Sequence, residues 1–160
     1  MPGHELDALL RDQDGVVACF QVLESGLDPR QRAWAAVLHY WPAALADGSA
    51  LTAAGLRAED PPGRPSDTWP VHVAVDLNRR LARTGGIRLH PIADLTGRVQ
   101  ANLSPPRLCL EDALVRVASR QRTDEAAVAC LADACQSRRT IPAGVARRGR
   151  VGPPVPWQPS

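Results

Sequence analysis

The sequence contains no lysine, because all 19 of its basic residues are arginine. This absence excludes a phosphate-binding loop that ends in Gly-Lys-Ser/Thr, a Schiff-base lysine, and the lysine of common metal-dependent nuclease sites. Aromatic residues are also few, at 4% of the 160 residues, so the core must consist mainly of alanine, valine and leucine. Hydrophobic residues reach 44% and charged residues 22%, values that are typical of a globular domain.

Long apolar runs are absent as well, and the acidic N-terminus carries no apolar segment. A membrane span needs about 20 apolar residues and a secretory signal needs an apolar core, so we expect a cytoplasmic protein. In that compartment the cysteines are expected to be buried, reduced thiols. They form no Cys-x-x-Cys pair, and zinc ligation would require residues distant in sequence to converge, so the sequence predicts no metal site and no cofactor. The four cysteines are Cys19, Cys109, Cys130 and Cys135.

The net charge of +2 conceals an asymmetry along the chain. Residues 1–60 contain four arginines against nine acidic residues, a balance of −5, whereas residues 61–160 contain 15 arginines against eight, a balance of +7. We expect an anionic partner to meet the second part, because the initial encounter follows the local electrostatic field.

Short helices are predicted over the first part of the chain. Leucines at helical spacing indicate a first helix, and a second short helix ends at Gly26. A third helix is capped by Asp28, has Gln31 in the capping-box position and ends before Pro42. A fourth short helix is expected to have Ser49 as its N-cap. The third helix is expected to bury the stripe Trp34, Val37, Leu38 and Trp41.

The hydrophobic period changes from helical to alternating after the proline-rich loop 57–70. Alternation over residues 71–77 predicts a half-buried strand, a second strand starts near Ile87, and residues 98–102 form a third, weaker one. We expect the first two strands to form a hairpin. Two further helices follow, the second of them capped by Thr123, and a last short helix is expected around residues 142–148.

The polar face of the first two strands holds residue types that are used in acid–base catalysis. Nothing nearby supplies a nucleophile or an oxyanion hole, so we interpret these residues as cross-strand polar pairs on a solvated sheet face. They are His72, Asp76, Arg88 and His90.

The order of the sequence blocks resembles a known family. Residues 1–27 have the pattern of a helix-turn-helix opening, with the turn Gln13-Asp14-Gly15-Val16-Val17 between two helices and Ser25-Gly26-Leu27 after them. The blocks that follow are 31–38, 44–51, 71–75, 106–114 and the closing Arg147-Arg148-Gly149-Arg150. Over about residues 5–150 this order resembles the AbiEi-type antitoxins of type IV toxin–antitoxin systems. It is most similar to relatives that carry a very-short-patch-repair-like endonuclease domain.

The resemblance implies an α+β protein with a truncated helix-turn-helix at 1–27, an AbiEi-like helix–sheet domain at 28–150 and a disordered proline-rich tail at 151–160. Two family features are missing. Only three residues separate Leu27 from Gln31, where the family has a second DNA-reading helix and an arginine-rich wing. The chain also enters its tail where longer relatives continue into the nuclease-like domain.

We therefore expect a non-enzymatic antitoxin-like or regulatory protein that acts through protein–protein contact. The family implies a nucleotidyltransferase-type toxin as its partner; we expect neither membrane binding nor a small-molecule substrate. One alternative is a DNA-binding transcriptional regulator that uses a helix-turn-helix at residues 16–40. DNA binding is expected to be weak, because residues 1–27 carry one arginine against five acids. Another alternative is an inactive, truncated relative of a nuclease-fused protein.

Arginines supply the candidate contacts to nucleic acid or to an anionic protein, because a guanidinium can hold phosphate or carboxylate bidentately. The alternative interpretation is solvated surface charge. The candidates are Arg30, Arg32, Arg79, Arg80, Arg83, Arg138, Arg139, Arg147, Arg148 and Arg150.

Overall fold

The structure is a computed structural model that describes residues 4–18, 21–22, 26–56, 70–137 and 144–146. Within these ranges the chain forms helices and a five-stranded mixed sheet, so the expected α+β class is confirmed. The chain divides into two compact units, Met1–Cys109 and Leu110–Ser160. This boundary falls inside the 28–150 domain that the sequence predicts.

The first unit contains three helices, α1 (His4–Asp12), α2 (Pro29–His39) and α3 (Asp47–Ala53). Helix α2 begins as predicted: the Asp28 carboxylate accepts hydrogen bonds from the backbone N–H groups of Arg30 and Gln31, and the Gln31 side chain accepts one from the N–H of Asp28. This capping box satisfies amide groups that have no partner inside the helix. The second predicted helix, which was expected to end at Gly26, lies partly outside the described residues.

The buried face of α2 differs from the predicted stripe. Leu38 and Trp41 are 60% and 58% exposed, while the alanines and Tyr40 are turned inward with Val37. Small side chains allow a helix to approach a sheet closely, so in this alanine-rich sequence the core is built from the alanine face. The buried residues are Ala33, Ala36, Val37 and Tyr40.

Five strands form one sheet in the first unit: β1 (Ala44–Leu45), β2 (Val71–Asp76), β3 (Ile87–Ile92), β4 (Val99–Gln100) and β5 (Arg107–Leu108). Their order in the sheet is β3-β2-β1-β5-β4. The pairs β2–β3 and β1–β5 are parallel, whereas β1–β2 and β4–β5 are antiparallel. Strands β2, β3 and β4 confirm the three predicted strands; β1 and β5 have two residues each and were not predicted.

The connection between β2 and β3 is a crossover, so the prediction of a hairpin is wrong. The two strands run parallel, in register from Val71 beside Ile87 to Asp76 beside Ile92. Residues 77–86 carry the chain from the end of β2 back to the edge of the sheet at which β2 begins. They also contact the end of α2. The Tyr40 hydroxyl donates a 2.7 Å hydrogen bond to the carbonyl oxygen of Ala82.

Both faces of β2 are covered, so the prediction of one solvated face is also wrong. Val73 and Ala74 point to opposite sides of the strand, and both are fully buried. Helix α3 packs against β2. Helix α3 begins at Asp47, so the prediction of Ser49 as its N-cap is wrong. The Ser49 hydroxyl instead accepts a 2.9 Å hydrogen bond from the backbone N–H of His72.

The second unit contains helices α4 (Leu110–Ala118) and α5 (Asp124–Gln136), which pack against each other. The Thr123 hydroxyl accepts a hydrogen bond from the Ala126 N–H, so the predicted cap of α5 is confirmed. Within the described residues Cys109, Cys130 and Cys135 form no disulfide, and they are half-buried rather than buried as expected. Cys19 lies outside the described residues. Among the described residues, no helix combines the length and apolar character that crossing a membrane requires.

Candidate functional site

A buried polar cluster in the first unit joins Asp47, His72 and His90. Asp47 is the first residue of α3, His72 lies in β2 and His90 lies in β3. The parallel register places His90 beside Ala74, so the two histidines lie on the same face of neighbouring strands, one diagonal step apart. Helix α3 brings the carboxylate to that face.

The three side chains lie close together, with the His90 ring nearest to the Asp47 carboxylate and the His72 ring beyond it. Asp47 Oδ2 lies 3.4 Å from His90 Nδ1 and 3.9 Å from His72 Nδ1. His90 Nε2 lies 2.9 Å from His72 Nδ1, within hydrogen-bonding distance. The ring planes differ by only 17° and their centroids are 5.0 Å apart. Because the facing nitrogens are much closer than the centroids, the rings meet edge to edge.

Burial decreases from Asp47 to His72. The side chains of Asp47 and His90 are 2% and 8% exposed, whereas the His72 side chain is 21% exposed. Asp47 also has a φ of 44°, in the left-handed region that a residue with a Cβ seldom adopts. Unusual backbone of this kind persists where the surrounding structure fixes it, and it is frequent at ligand-binding positions.

The cluster offers one carboxylate and two imidazoles, a donor set that first-row transition metals accept. Three potential ligand atoms, one from each residue, lie within 4.8 Å of one another. Within the described residues this is the one group of three or more histidine, cysteine or acidic side chains with that spacing. The prediction of no metal site was based on the cysteines and did not include the combination of Asp47 with the two histidines.

Sequence reasoning identified the two histidines but not their acidic partner. It grouped them with Asp76, whose carboxylate instead accepts a hydrogen bond from the N–H of Asn78, and with Arg88, which is exposed. It also placed them on a solvated face. The role of Asp47 depends on the path of the chain between α3 and β2, and no local pattern around residue 47 signals it.

Three of the candidate arginines contact main-chain carbonyls or are partly covered. Arg79 donates to the carbonyl oxygens of Tyr40, Trp41 and Pro42, so it stabilises the end of α2. Arg30 reaches the carbonyl oxygen of Ser104 at 3.4 Å, and Arg32 is half-buried.

Two other candidates, Arg80 and Arg83, are exposed in the crossover segment. The remaining candidates lie outside the described residues; they are Arg138, Arg139, Arg147, Arg148 and Arg150. Arg107, which was not a candidate, donates to the carbonyl oxygen of Ala53, and burial lowers the pKa of its guanidinium.

Large apolar side chains are exposed near the crossover. Leu38 and Trp41 lie three positions apart at the end of α2, and the N–H of Trp41 donates to the carbonyl oxygen of Leu38. Leu77, the first residue after β2, is exposed as well. Arg79 connects its segment to the end of α2 through the three carbonyls. We name Leu38, Trp41, Leu77, Arg80 and Arg83 the crossover surface.

Comparisons of the chain with protein-family models, with curated proteins and with solved structures give no match. The AbiEi resemblance therefore stays a prediction.

Proposed function

We propose that the chain is a non-enzymatic, antitoxin-like regulatory protein that acts in the cytoplasm by binding another protein. The partner proposed is a nucleotidyltransferase-type toxin, as the AbiEi resemblance implies. The observation that carries the proposal is the crossover surface, where exposed apolar side chains accompany exposed arginines.

The apolar part of this surface has the composition of a protein-binding site. Exposed apolar side chains that occur singly need no explanation, but Leu38 and Trp41 are neighbours at one helix end. Tryptophan and arginine are enriched among the residues that contribute most to binding energy at protein interfaces. Burying Trp41 against a partner would remove a large apolar area from water.

The charged part of the surface indicates an acidic partner. Residues 77–84 contain three arginines and no acidic residue. Because Arg79 is bound to the end of α2, Arg80 and Arg83 are the two whose exposed guanidinium groups are available to an incoming carboxylate. Complementary charge would accelerate the encounter and fix the orientation of the partner.

DNA binding through residues 16–40 is the alternative, and the packing of α2 favours protein contact instead. A recognition helix presents long polar side chains to base edges, whereas the exposed Arg30 of α2 reaches the carbonyl oxygen of Ser104. His39, exposed at the end of α2, lies 3.1 Å from the hydroxyl of Thr84 through Nε2. Two of the long polar side chains that α2 exposes, Arg30 and His39, therefore already contact other parts of the first unit.

The test is to sequence the neighbouring gene and to co-express the chain with the nucleotidyltransferase that the proposal expects it to encode. Growth rescue and co-purification are measured. We expect a complex that Leu38→Ser/Trp41→Ser weakens at least tenfold, because the apolar anchor is lost. Arg80→Glu/Arg83→Glu should weaken it similarly, and added salt should weaken the wild-type complex. The matched control, Arg122→Glu/Val128→Ser, changes an exposed arginine and an exposed valine of the second unit and should bind normally.

Two results would contradict the proposal. One is full rescue and full affinity in both crossover-surface variants. The other is selective binding of the chain to a duplex operator at the ~10⁻⁸ M level of specific regulators, which would favour the DNA-binding alternative. A gene that continues in frame into a nuclease-like domain would favour the inactive nuclease relative.

A further inference from the structure

We propose that Asp47, His72 and His90 form a binding site for one divalent transition-metal ion of the zinc type. The site lies on residues that the crossover surface does not include, so this proposal and the proposed function can fail separately.

The donor atoms select the class of ion. Imidazole nitrogens suit zinc, copper, nickel and iron, whereas magnesium and calcium prefer sites made of oxygen ligands. Two histidines and one carboxylate form a recurrent ligand set for such ions. The three ligands would come from Asp47, His72 and His90.

The two distances from the carboxylate to the ring nitrogens are close to what a tetrahedral ion needs. Metal–ligand bonds of about 2.0–2.1 Å place two ligand atoms about 3.4 Å apart. Asp47 Oδ2 and His90 Nδ1 are 3.4 Å apart, and Asp47 Oδ2 and His72 Nδ1 are 3.9 Å apart. The two rings are hydrogen-bonded at 2.9 Å between His90 Nε2 and His72 Nδ1, and this bond must give way as the ion enters.

The ligands are held in position by the fold. Asp47 lies at the start of α3 with its side chain 2% exposed and its backbone in the left-handed region. The backbone of His72 is bound on both sides, because its N–H donates to the hydroxyl of Ser49 and its carbonyl oxygen accepts from the N–H of Ala46. Ligands that are ordered before binding lose little conformational freedom when the ion arrives.

One coordination position is left for water or for an exogenous ligand. The chain supplies three ligands, and a tetrahedral ion takes four. The His72 side chain is 21% exposed, so solvent reaches the cluster from that side. A bound ion would connect α3, β2 and β3, which are separate elements of the first unit, and would therefore stabilise the folded state relative to the unfolded chain.

The experiment uses the full chain without an affinity tag, freed of metal with a chelator and titrated with zinc chloride. Calorimetry should give one ion per chain, and saturating zinc should raise the thermal midpoint by about 5–10 °C. Cobalt chloride should give the visible absorption of a tetrahedral site, and magnesium chloride should have no effect.

Variants separate this site from other metal-binding groups. His72→Gln and Asp47→Asn should lose at least tenfold in zinc affinity, and circular dichroism verifies that they fold. His72→Gln is the safer of the two because His72 is the most exposed member. His39→Gln, which changes an exposed histidine outside the cluster, should retain one ion, as should Cys130→Ser/Cys135→Ser, which removes two thiols.

Three outcomes would overturn the proposal. The first is a wild-type chain that binds no zinc, in which case the cluster is a hydrogen-bonded structural element. The second is zinc affinity that stays unchanged in folded His72→Gln. The third is zinc binding that disappears in the cysteine variant, which would assign the ion to the thiols.

Discussion

Arg79 donates a 2.6 Å hydrogen bond from Nη1 to the carbonyl oxygen of Tyr40, the C-cap residue of α2. The same guanidinium reaches the carbonyls of Pro42 at 2.8 Å and Trp41 at 3.3 Å. The last carbonyls of a helix have no partner within it, and a cation at that end interacts favourably with the helix dipole. An arginine that the sequence assigns to partner binding therefore holds the crossover against α2.

Replacing Arg79 should destabilise the first unit. Arg79→Ala removes charged hydrogen bonds to three carbonyls, and we expect a loss of about 2 kcal/mol in the free energy of unfolding. Arg79→Lys should recover only part of this, because an ammonium group lacks the planar fork. Urea denaturation followed by circular dichroism measures both.

Arg80→Ala is the matched control for Arg79→Ala, since Arg80 is the exposed neighbour in the same segment. A change of about 0.5 kcal/mol or less is expected for it. Equal destabilisation by the two substitutions would contradict the structural role of Arg79.

Removing the N-cap of α2 should also weaken the first unit. Asp28→Ala deletes the acceptor for the N–H groups of Arg30 and Gln31, which costs about 1 kcal/mol. Asp28→Asn keeps an acceptor oxygen and should be close to wild type. The measurement is the urea midpoint at constant slope, and an Asp28→Asn loss as large as that of Asp28→Ala would contradict the capping role.

The core of the second unit should depend on Leu114. Leu114 is fully buried in α4, so Leu114→Ala should cost about 2–5 kcal/mol through lost burial and the cavity left behind. Val128→Ala in α5 changes an exposed side chain and should cost much less. Thermal unfolding compares the two, and similar midpoints for both variants would show that this packing is wrong.

The sequence determined the features that depend on neighbouring residues. The capping box of Asp28 and Gln31 and the cap of Thr123 were predicted correctly because each involves bonds across about one helical turn. Strands β2 and β3 were located for a similar reason, since their apolar residues are adjacent in the chain. The α+β class follows from these local elements.

Tertiary structure alone decided the direction of strand pairing, the covered faces and the composition of the polar cluster. A hairpin and a parallel crossover can share the same strand sequences, because the direction depends on where residues 77–86 pack. Alternation predicts a polar face but does not reveal that the face carrying His72 and His90 is covered. Asp47 joins those histidines only when α3 lies against β2, and such contacts between distant segments leave no pattern in either segment.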